Sequence, residues 1–412
     1  MTSPSRGLLA AFSVLAMTGP AAASPATDLL DALRSRMEET YYAPPGIDLT
    51  RVMDEASRKL TVACEGQGDA CPVETGLEVA RGAIAELGDR HTVIFPAPTP
   101  PPGAGPAPAA GGGPPVQRLP FGWSVRPVRG QDHLYVAWVD PDGPAGKAGV
   151  RRHDRVIAPA GVTAGLLNTG TGPVRVSIER EGRTFEVDLT PDAGRDGAMP
   201  TMTMADDIAV IHFPSGTGEG AAQAGHDFLA RAEAAKVRAV VLDLRDNGGG
   251  GLQCAAMTGA FTDYKAVQRD RRGEATVMSI HADHVEMGPA NGMETVLTVE
   301  RPTRWSGPLA VLVNENTASC SEAMAIQIAR AGRGFVIGEE TYGVGNNTLR
   351  PVPLTAGWMV RMTASWTEDE TGQRLPPRPP LSTEVADDPV AIGATGRDAV
   401  LEAALARLRA GA

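Results

Sequence analysis

Val240-Val241-Leu242-Asp243-Leu244-Arg245-Asp246-Asn247-Gly248-Gly249-Gly250-Gly251 decides the fold class. It begins as an unbroken apolar run and ends in four glycines. An apolar run without alternation fits a strand buried on both faces. Glycines there let the backbone approach a ligand and turn successive N–H groups toward an anion. No Gly-Lys-Ser/Thr follows, so this is not a phosphate loop. A flexible turn that binds nothing is the plain alternative.

Similar runs recur on either side of it. Ile208-Ala209-Val210-Ile211, Leu309-Ala310-Val311-Leu312-Val313 and Phe335-Val336-Ile337 read as further buried strands. Helical stretches at 219–236, 252–262, 319–332 and 397–409 fall between or after them. Strands alternating with helices predict an α/β domain over residues 196–412 with a mostly parallel sheet. Upstream, residues 117–195 hold short strands between Gly, Pro and Asp turns, among them Leu134–Val139 and Val174–Ile178. Pro96 to Pro115 is almost entirely Pro, Ala and Gly, so 96–116 is read as a linker without a core. Residues 24–95 read as helical. Leu29, Leu30, Leu33 and Met37 share one face of a helix capped by Asp28, and further helices are expected at 52–62 and 73–87. The third is expected to bury Val79, Ala83, Ala85 and Leu87.

The N-terminus reads as an export signal. Arg6, the apolar run Leu8–Met17 and Ala21-Ala22-Ala23 form a charged region, a short apolar region and a small-residue cleavage site. Residues 1–23 are the expected signal peptide. The apolar run is too short to span a bilayer, and no other stretch approaches the length needed. A periplasmic or extracellular, soluble mature chain follows. Such a compartment permits disulfides. Of the four cysteines, Cys64 and Cys71 bracket a polar glycine-containing loop and read as a staple, leaving Cys254 and Cys320. No Cys-x-x-Cys spacing points to zinc.

The net charge of −11 argues against a nucleic-acid partner, which needs clustered positive charge. At 412 residues with 42% hydrophobic content, the chain has material for two or three domains. Only four residues are lysine (Lys59, Lys147, Lys236, Lys265), so none follows position 265.

A second constellation follows the run 309–313: Asn316-Thr317-Ala318-Ser319-Cys320-Ser321-Glu322. A serine at a strand-to-helix turn is a candidate nucleophile, and the helix N-terminus stabilises an oxyanion. Ser319-x-x-Glu322 is equally a capping box. His281-Ala282-Asp283-His284 is a weak metal pair, because the sequence shows no third ligand. His212 sits in a strand and reads as a packing residue.

Together the two constellations, with Val336-Ile337-Gly338-Glu339-Glu340-Thr341-Tyr342-Gly343, resemble the S41-type tail-specific, carboxyl-terminal-processing serine peptidases and their tricorn-like relatives. The resemblance covers most of residues 200–410. It implies a crotonase-like (ClpP-like) α/β core, with Ser319 as nucleophile and no cofactor. The implied oxyanion donors are the N–H groups of Cys320 and of a glycine in the 248–250 turn, Gly249 being preferred. If both loops line that hole, Cys254 and Cys320 come within bonding distance. Pro120–Val125, Asp142–Val150 and His153–Ile157 resemble a small β-rich PDZ-like domain whose loop at Phe121-Gly122 would hold a peptide carboxylate. Between Gly161 and Gly172 there is little room for the helix that normally walls such a groove.

The base departs from the family's usual pattern. Where most members have a lysine, this chain has Val344, and a valine accepts no proton. Lys265 reads as a solvated helix-end residue. The tricorn-like branch uses a histidine ahead of the PDZ-like region, and Leu87-Gly88-Asp89-Arg90-His91-Thr92 resembles the short Gly-Asp-x-His-Thr run in which it lies. His91 is therefore the candidate general base, its unperturbed pKa near 6.5 being suited to the task. A surface histidine at a helix end is the alternative. The family's orienting glutamate falls at Pro377. Glu368, Asp369 and Glu370 lie just upstream; Glu370 is the candidate, and a hairpin-turn cluster is the competing reading. The implied partner is a polypeptide substrate. The rival class is an inactive binding or scaffold protein of the cell envelope on the same fold, which also serves retinoid-binding proteins.

Overall fold

A computed structural model describes residues 23–97, 118–192 and 197–411. The expected signal peptide and linker lie outside these residues, apart from Ala23, Pro96 and Ala97. The chain forms two compact units. Of the described residues, one comprises 23–39, 43–97 and 351–361; the other comprises 40–42, 118–192, 197–350 and 362–411.

The first unit holds the helices Pro25–Thr40, Leu49–Ala63 and Val73–Glu86. The first helix starts earlier than its periodicity suggests. Ser24 Oγ accepts from Thr27 N–H, and Pro25 takes the first helical position, where its missing N–H costs nothing. Asp28 lies inside the first turn rather than capping it. Leu29, Leu30, Leu33 and Met37 are buried as the spacing requires. The third helix buries Leu77, Ala80, Ala83, Ile84 and Leu87, while Ala85 is exposed and Val79 half-buried. The correction is one of phase: the i, i+3, i+7 stripe begins at Leu77, because Gly76 lets this helix sit against Ala26. A Cβ at Gly76 would come within 2.6 Å of the Ala26 carbonyl oxygen. Cys64 and Cys71 are bonded, closing the polar loop after the second helix. The strand Val93–Pro96 pairs antiparallel with Trp358–Arg361.

The second unit is built on a six-stranded sheet. Its order is Thr383–Glu384, Phe335–Gly338, Leu309–Val313, Ala239–Asp243, Ile208–His212 and Thr201–Ala205. Pairing is parallel except at the last strand. Helices Ala221–Ala234, Leu252–Gly259 and Cys320–Arg330 cover one face, with Leu242, Val311, Met257 and Met324 in the core between. Ala399–Ala410 covers the other, burying Val400, Ala404 and Leu408 against Val241, Ala310 and Leu312. Burial on both faces is why these strands are uniformly apolar.

One antiparallel sheet precedes this core in the chain, and a second is inserted between its strands Ala239–Asp243 and Leu309–Val313. Trp123–Pro127, Leu134–Val139, Arg155–Ile157, Val174–Arg180 and Arg183–Leu189 form a five-stranded meander. A short helix, Ala164–Thr169, does fit between Gly161 and Gly172. It is fastened to the open edge of the first strand. Asn168 Oδ1 accepts from Val125 N–H, its amide donates to Val125 O, and Trp123 Nε1 donates to Leu167 O. A further meander, Tyr264–Asp270, Ala275–Ile280, His284–Gly288 and Glu294–Thr298, pairs through its first strand with Ser365–Glu368. Lys265 lies exposed on this strand, not at a helix end. The helix before it stops at Gly259, whose bare Cα backs onto the carbonyl of His281.

His212 closes the strand Ile208–His212 and is buried. Burial, reinforced by the positive charge of Arg152, pushes its pKa down to about 3. An imidazole in the unfolded chain titrates near 6.5. As pH falls, the unfolded state binds the proton first, so stability is lost from about pH 6.5 downward toward the folded value. His212 alone is expected to cost about 2 kcal/mol by pH 5. Urea unfolding at pH 7.5 and pH 5 should show this loss reduced in His212→Leu. The same pH dependence in both proteins would sink the assignment.

Candidate active site

The two candidate loops leave adjacent parallel strands at their carboxyl ends. Leu309–Val313 runs beside Ala239–Asp243, with Leu312 opposite Asp243. Asn247 locks the loops together. Its backbone O accepts from Ala318 N–H at 2.9 Å and from Ser321 Oγ at 2.7 Å, while its side-chain amide donates to Phe213 O. Gly249 then rests directly on Ser319. A Cβ there would lie 2.7 Å from Ser319 Cβ and 2.9 Å from Ala318 O, and φ is +99°. Both facts require glycine. The N–H of Gly249 donates to Asn247 Oδ1 at 2.9 Å.

Ser319 opens the helix Cys320–Arg330 with φ 59° and ψ −120°. Asp48, Asp388 and Asp398 cap their helices with φ of −94°, −118° and −105° and accept from the helix N–H groups. A residue chosen only for capping adopts that extended geometry. Ser319 instead holds a backbone conformation that costs a non-glycine residue roughly 1–3 kcal/mol, the strained strand-to-helix turn that projects a nucleophilic serine in other folds. Cys320 takes the first helical position, one of the four whose N–H groups have no partner inside the helix.

The strain is held by Glu322, whose role in the site was not legible beyond a capping pattern. Glu322 is fully buried. Oε2 accepts from Ser319 N–H at 2.8 Å and Val344 N–H at 2.9 Å. Oε1 accepts from Gly343 N–H at 2.6 Å and from Thr341 Oγ1. Burial raises its pKa against the pull of these four donors. One carboxylate thus ties the serine turn to the loop 341–344. Val344 is buried in that loop with its N–H spent on Glu322.

Below the glycine turn lies a buried ionic network. Arg245 meets Asp243 through Nε (3.0 Å) and Nη2 (2.8 Å), Asp387 at 2.9 Å, and Asp398 at 2.9 and 2.7 Å. Burial works to raise Asp243, but Arg152 and Arg245 outweigh it and hold the carboxyl well below its usual range. The next acid, Asp246, accepts from Tyr135 Oη at 2.7 Å, and its backbone O accepts from Arg126 Nη2 at 2.8 Å. Burial opposes its ionisation, and Arg126 and Arg152 prevail, lowering its pKa. The five-stranded sheet is therefore wired to the glycine turn. A cleft of about 240 Å³ opens beside that turn, lined by Ser124, Arg126 and Trp138 from this sheet and by Gly248 and Gly249.

Cys254 and Cys320 are bonded. The bond joins the helix after the glycine turn to the helix after Ser319. Gly216 packs on both sulfurs; a Cβ there would fall 2.4 Å from one and 2.9 Å from the other.

His91 is buried in the first unit, in the turn after the third helix. Asp89 shapes that turn: Oδ1 accepts from His91 N–H at 2.9 Å and Oδ2 from Thr92 Oγ1 at 2.7 Å. Ser319 belongs to the second unit. Glu368 is bound to Arg269, and Asp369 organises a tight turn while pairing with Arg330. Glu370 is exposed at the tip of that turn. In the five-stranded module, Phe121 is buried and the N–H of Gly122 donates to Leu119 O.

Residues 207–377 match the model of peptidase family S41. The tail-specific protease of Haemophilus influenzae is 32% identical over 140 residues, 34% of this chain and 18% of that protein. The carboxy-terminal processing protease CtpA of Bacillus subtilis is 25% identical over 225 residues, 49% of this chain and 42% of that protein. The chain spans less than half the length of these relatives. A putative S41 protease of Bacteroides fragilis shares the fold over 92% of this chain and 97% of that one, at TM-score 0.53 and 15% identity. Mature CPAF complexed with lactacystin does so over 94% and 98%, at TM-score 0.52 and 13% identity. Residues 207–377, which carry both the glycine turn and Ser319, are thus the part of this chain that is similar to peptidase family S41.

Proposed function

We propose that the chain is an exported serine peptidase that cleaves polypeptides by acyl transfer, with a Ser/His rather than a Ser/Lys mechanism. The observation that carries this reading is Ser319. Its strained φ, its place at a helix N-terminus and the glycine fitted against it support a nucleophile, over and above the capping box it forms with Glu322. Val344 removes the lysine base. His91 takes the proton from Ser319 Oγ as the oxygen attacks the scissile carbonyl, then delivers it to the leaving amine; water repeats the cycle on the acyl-enzyme. The oxyanion meets the N–H of Cys320 and an N–H of the 248–250 turn. Because Gly249 N–H is bonded to Asn247, its use requires that bond to yield to the substrate.

Glu370 is the acid of the 368–370 cluster left for orienting the imidazole, since Glu368 and Asp369 are committed elsewhere. The relatives named for carboxyl-terminal processing favour chain ends as substrates. The five-stranded module is read as a PDZ-like domain and the six-stranded core as a crotonase-like one, a reading supported by the antiparallel meander with its short helices and by the mostly parallel sheet. Peptide capture at Phe121-Gly122 requires the Gly122–Leu119 bond to open and Asn168 to release the strand edge at Val125. The competing reading is a binding scaffold, favoured by Val344 and by the engaged N–H of Gly249.

A fluorophosphonate probe separates the two. The wild type is expected to label at Ser319, with labelling abolished in Ser319→Ala and slowed at least about 100-fold in His91→Ala. Glu370→Gln should lower the labelling rate about tenfold and displace its pH midpoint. An unlabelled wild type selects the scaffold reading. Label persisting in Ser319→Ala removes the nucleophile, and an unchanged Glu370→Gln rate removes the third member.

A further inference from the structure

We propose that the hairpin tip His281–Glu286 is a binding site for a first-row divalent cation of the zinc class. The strands Ala275–Ile280 and His284–Gly288 pair with Ser279 opposite Glu286 and Ile280 opposite Val285. The register continues to the tip, where His281 N–H donates to His284 O at 2.9 Å. His281 and His284 are thus a directly opposed pair, and Glu286 lies two residues beyond His284. Paired residues, and residues two apart on a strand, share one face of a sheet. The fold therefore gathers two imidazoles and a carboxylate on one surface.

The side chains carry this further. One ligand atom from each of His281, His284 and Glu286 lies within 4.8 Å of the others, and all three residues are half-buried. The two rings stack with centroids 4.6 Å apart. Asp283 Oδ1 lies 2.6 Å from His284 Nδ1. A carboxylate holding one ring nitrogen fixes the tautomer and leaves Nε2 its lone pair, the usual outer support of a metal-bound histidine. Ser279 Oγ, 3.0 Å from His281 Nε2, holds the second ring in the cluster.

Two nitrogens and one oxygen suit a borderline cation and disfavour calcium or magnesium, which take oxygen ligands. Three protein ligands leave a fourth position to water. Tetrahedral zinc wants its donors about 3.3 Å apart. Partly exposed side chains reach that by small rotations. The tip backs onto the end of the helix Leu252–Gly259: a Cβ at Gly259 would sit 2.0 Å from His281 O. A bound cation would therefore brace the helix that also carries Cys254.

The test uses the full chain, free of any polyhistidine tag and with its disulfides intact. Zinc chloride is expected to bind at one ion per chain with a Kd of micromolar or tighter, and to raise Tm saturably. Cobalt should give the visible absorption of a tetrahedral N/O site. Calcium and magnesium should do neither. His284→Ala and Glu286→Gln should each weaken zinc at least about 100-fold, and Asp283→Asn about tenfold through the ring it holds. Metal-free Tm and circular dichroism check that each variant is folded; Asp283→Asn, outside the ligand set, still reads the site if a ligand variant is not. No saturable zinc binding at 100-fold above a micromolar Kd, or equal stoichiometry in His281→Ala/His284→Ala, overturns the proposal.

Discussion

Replacing Arg245 by methionine is expected to cost about 5 kcal/mol or to prevent folding altogether. Arg245 is 1% exposed and meets three carboxylates, Asp243, Asp387 and Asp398. Methionine fills much of the same volume, so the loss is electrostatic. Removing one partner of a buried pair typically costs about 3–5 kcal/mol, because the other charge is left uncompensated. Here three charges converge, with only Arg152 remaining against Asp243. Net stabilities of about 5–15 kcal/mol leave little margin. Asp398 also caps the helix Ala399–Ala410 through Leu401 N–H, so the damage spreads to the helix covering one face of the sheet. Urea unfolding measures the loss directly. Adding Asp387→Asn to Arg245→Met should restore part of it, since one stranded charge is then removed. A variant within about 1 kcal/mol of the wild type would show that water relieves these acids and that the network is not structural.

The role of Arg245 leaves no mark in its local sequence. Asp243-Leu244-Arg245-Asp246 was legible as the mouth of a glycine turn, yet two of the carboxylates that hold Arg245 lie more than 140 residues away in sequence. Long-range ion pairs leave no periodic trace. The parallel sheet was legible because burial on both faces forces four or five consecutive apolar residues. The meander from Tyr264 to Thr298 was not. Glu294–Thr298 is exposed at four of its five positions, so no face alternates. Glu322 is the same lesson within the site. Its spacing from Ser319 reads as a cap, and only the tertiary approach of residues 341–344 makes it the shared acceptor of two loops. His91 remains the residue on which the proposed chemistry rests most heavily. What the sequence supplies for it is the six-residue run Leu87–Thr92 and the absence of a lysine after position 265.

Loss of the Cys254–Cys320 bond is expected to affect stability and acylation together. The bond spans 66 residues. In the chain-entropy account, closing a loop of that length stabilises by about 4 kcal/mol, against about 2 kcal/mol for the seven-residue span of Cys64–Cys71. Position matters more than length for the chemistry. Each cysteine sits in the first turn of a helix that leaves one of the two site loops, and Cys320 is adjacent to Ser319. With the bond intact, the two helix starts cannot separate, so an N–H of the 248–250 turn and that of Cys320 stay at a fixed spacing. Oxyanion stabilisation depends on donors about 3 Å from one oxygen, and losing one such donor costs about 100-fold or more in rate. Cys254→Ala/Cys320→Ala keeps both backbone N–H groups and removes only the tether. It should lower the urea midpoint and slow fluorophosphonate labelling at least about tenfold, whereas Cys64→Ala/Cys71→Ala should lower stability with labelling unchanged. Reducing agent applied to the Cys64→Ala/Cys71→Ala protein should reproduce the slow labelling, since only the site bond is then left to cut. If both double variants label at the wild-type rate, the carboxylate of Glu322 and the backbone of Asn247 suffice to hold the loops, and the bond serves stability alone.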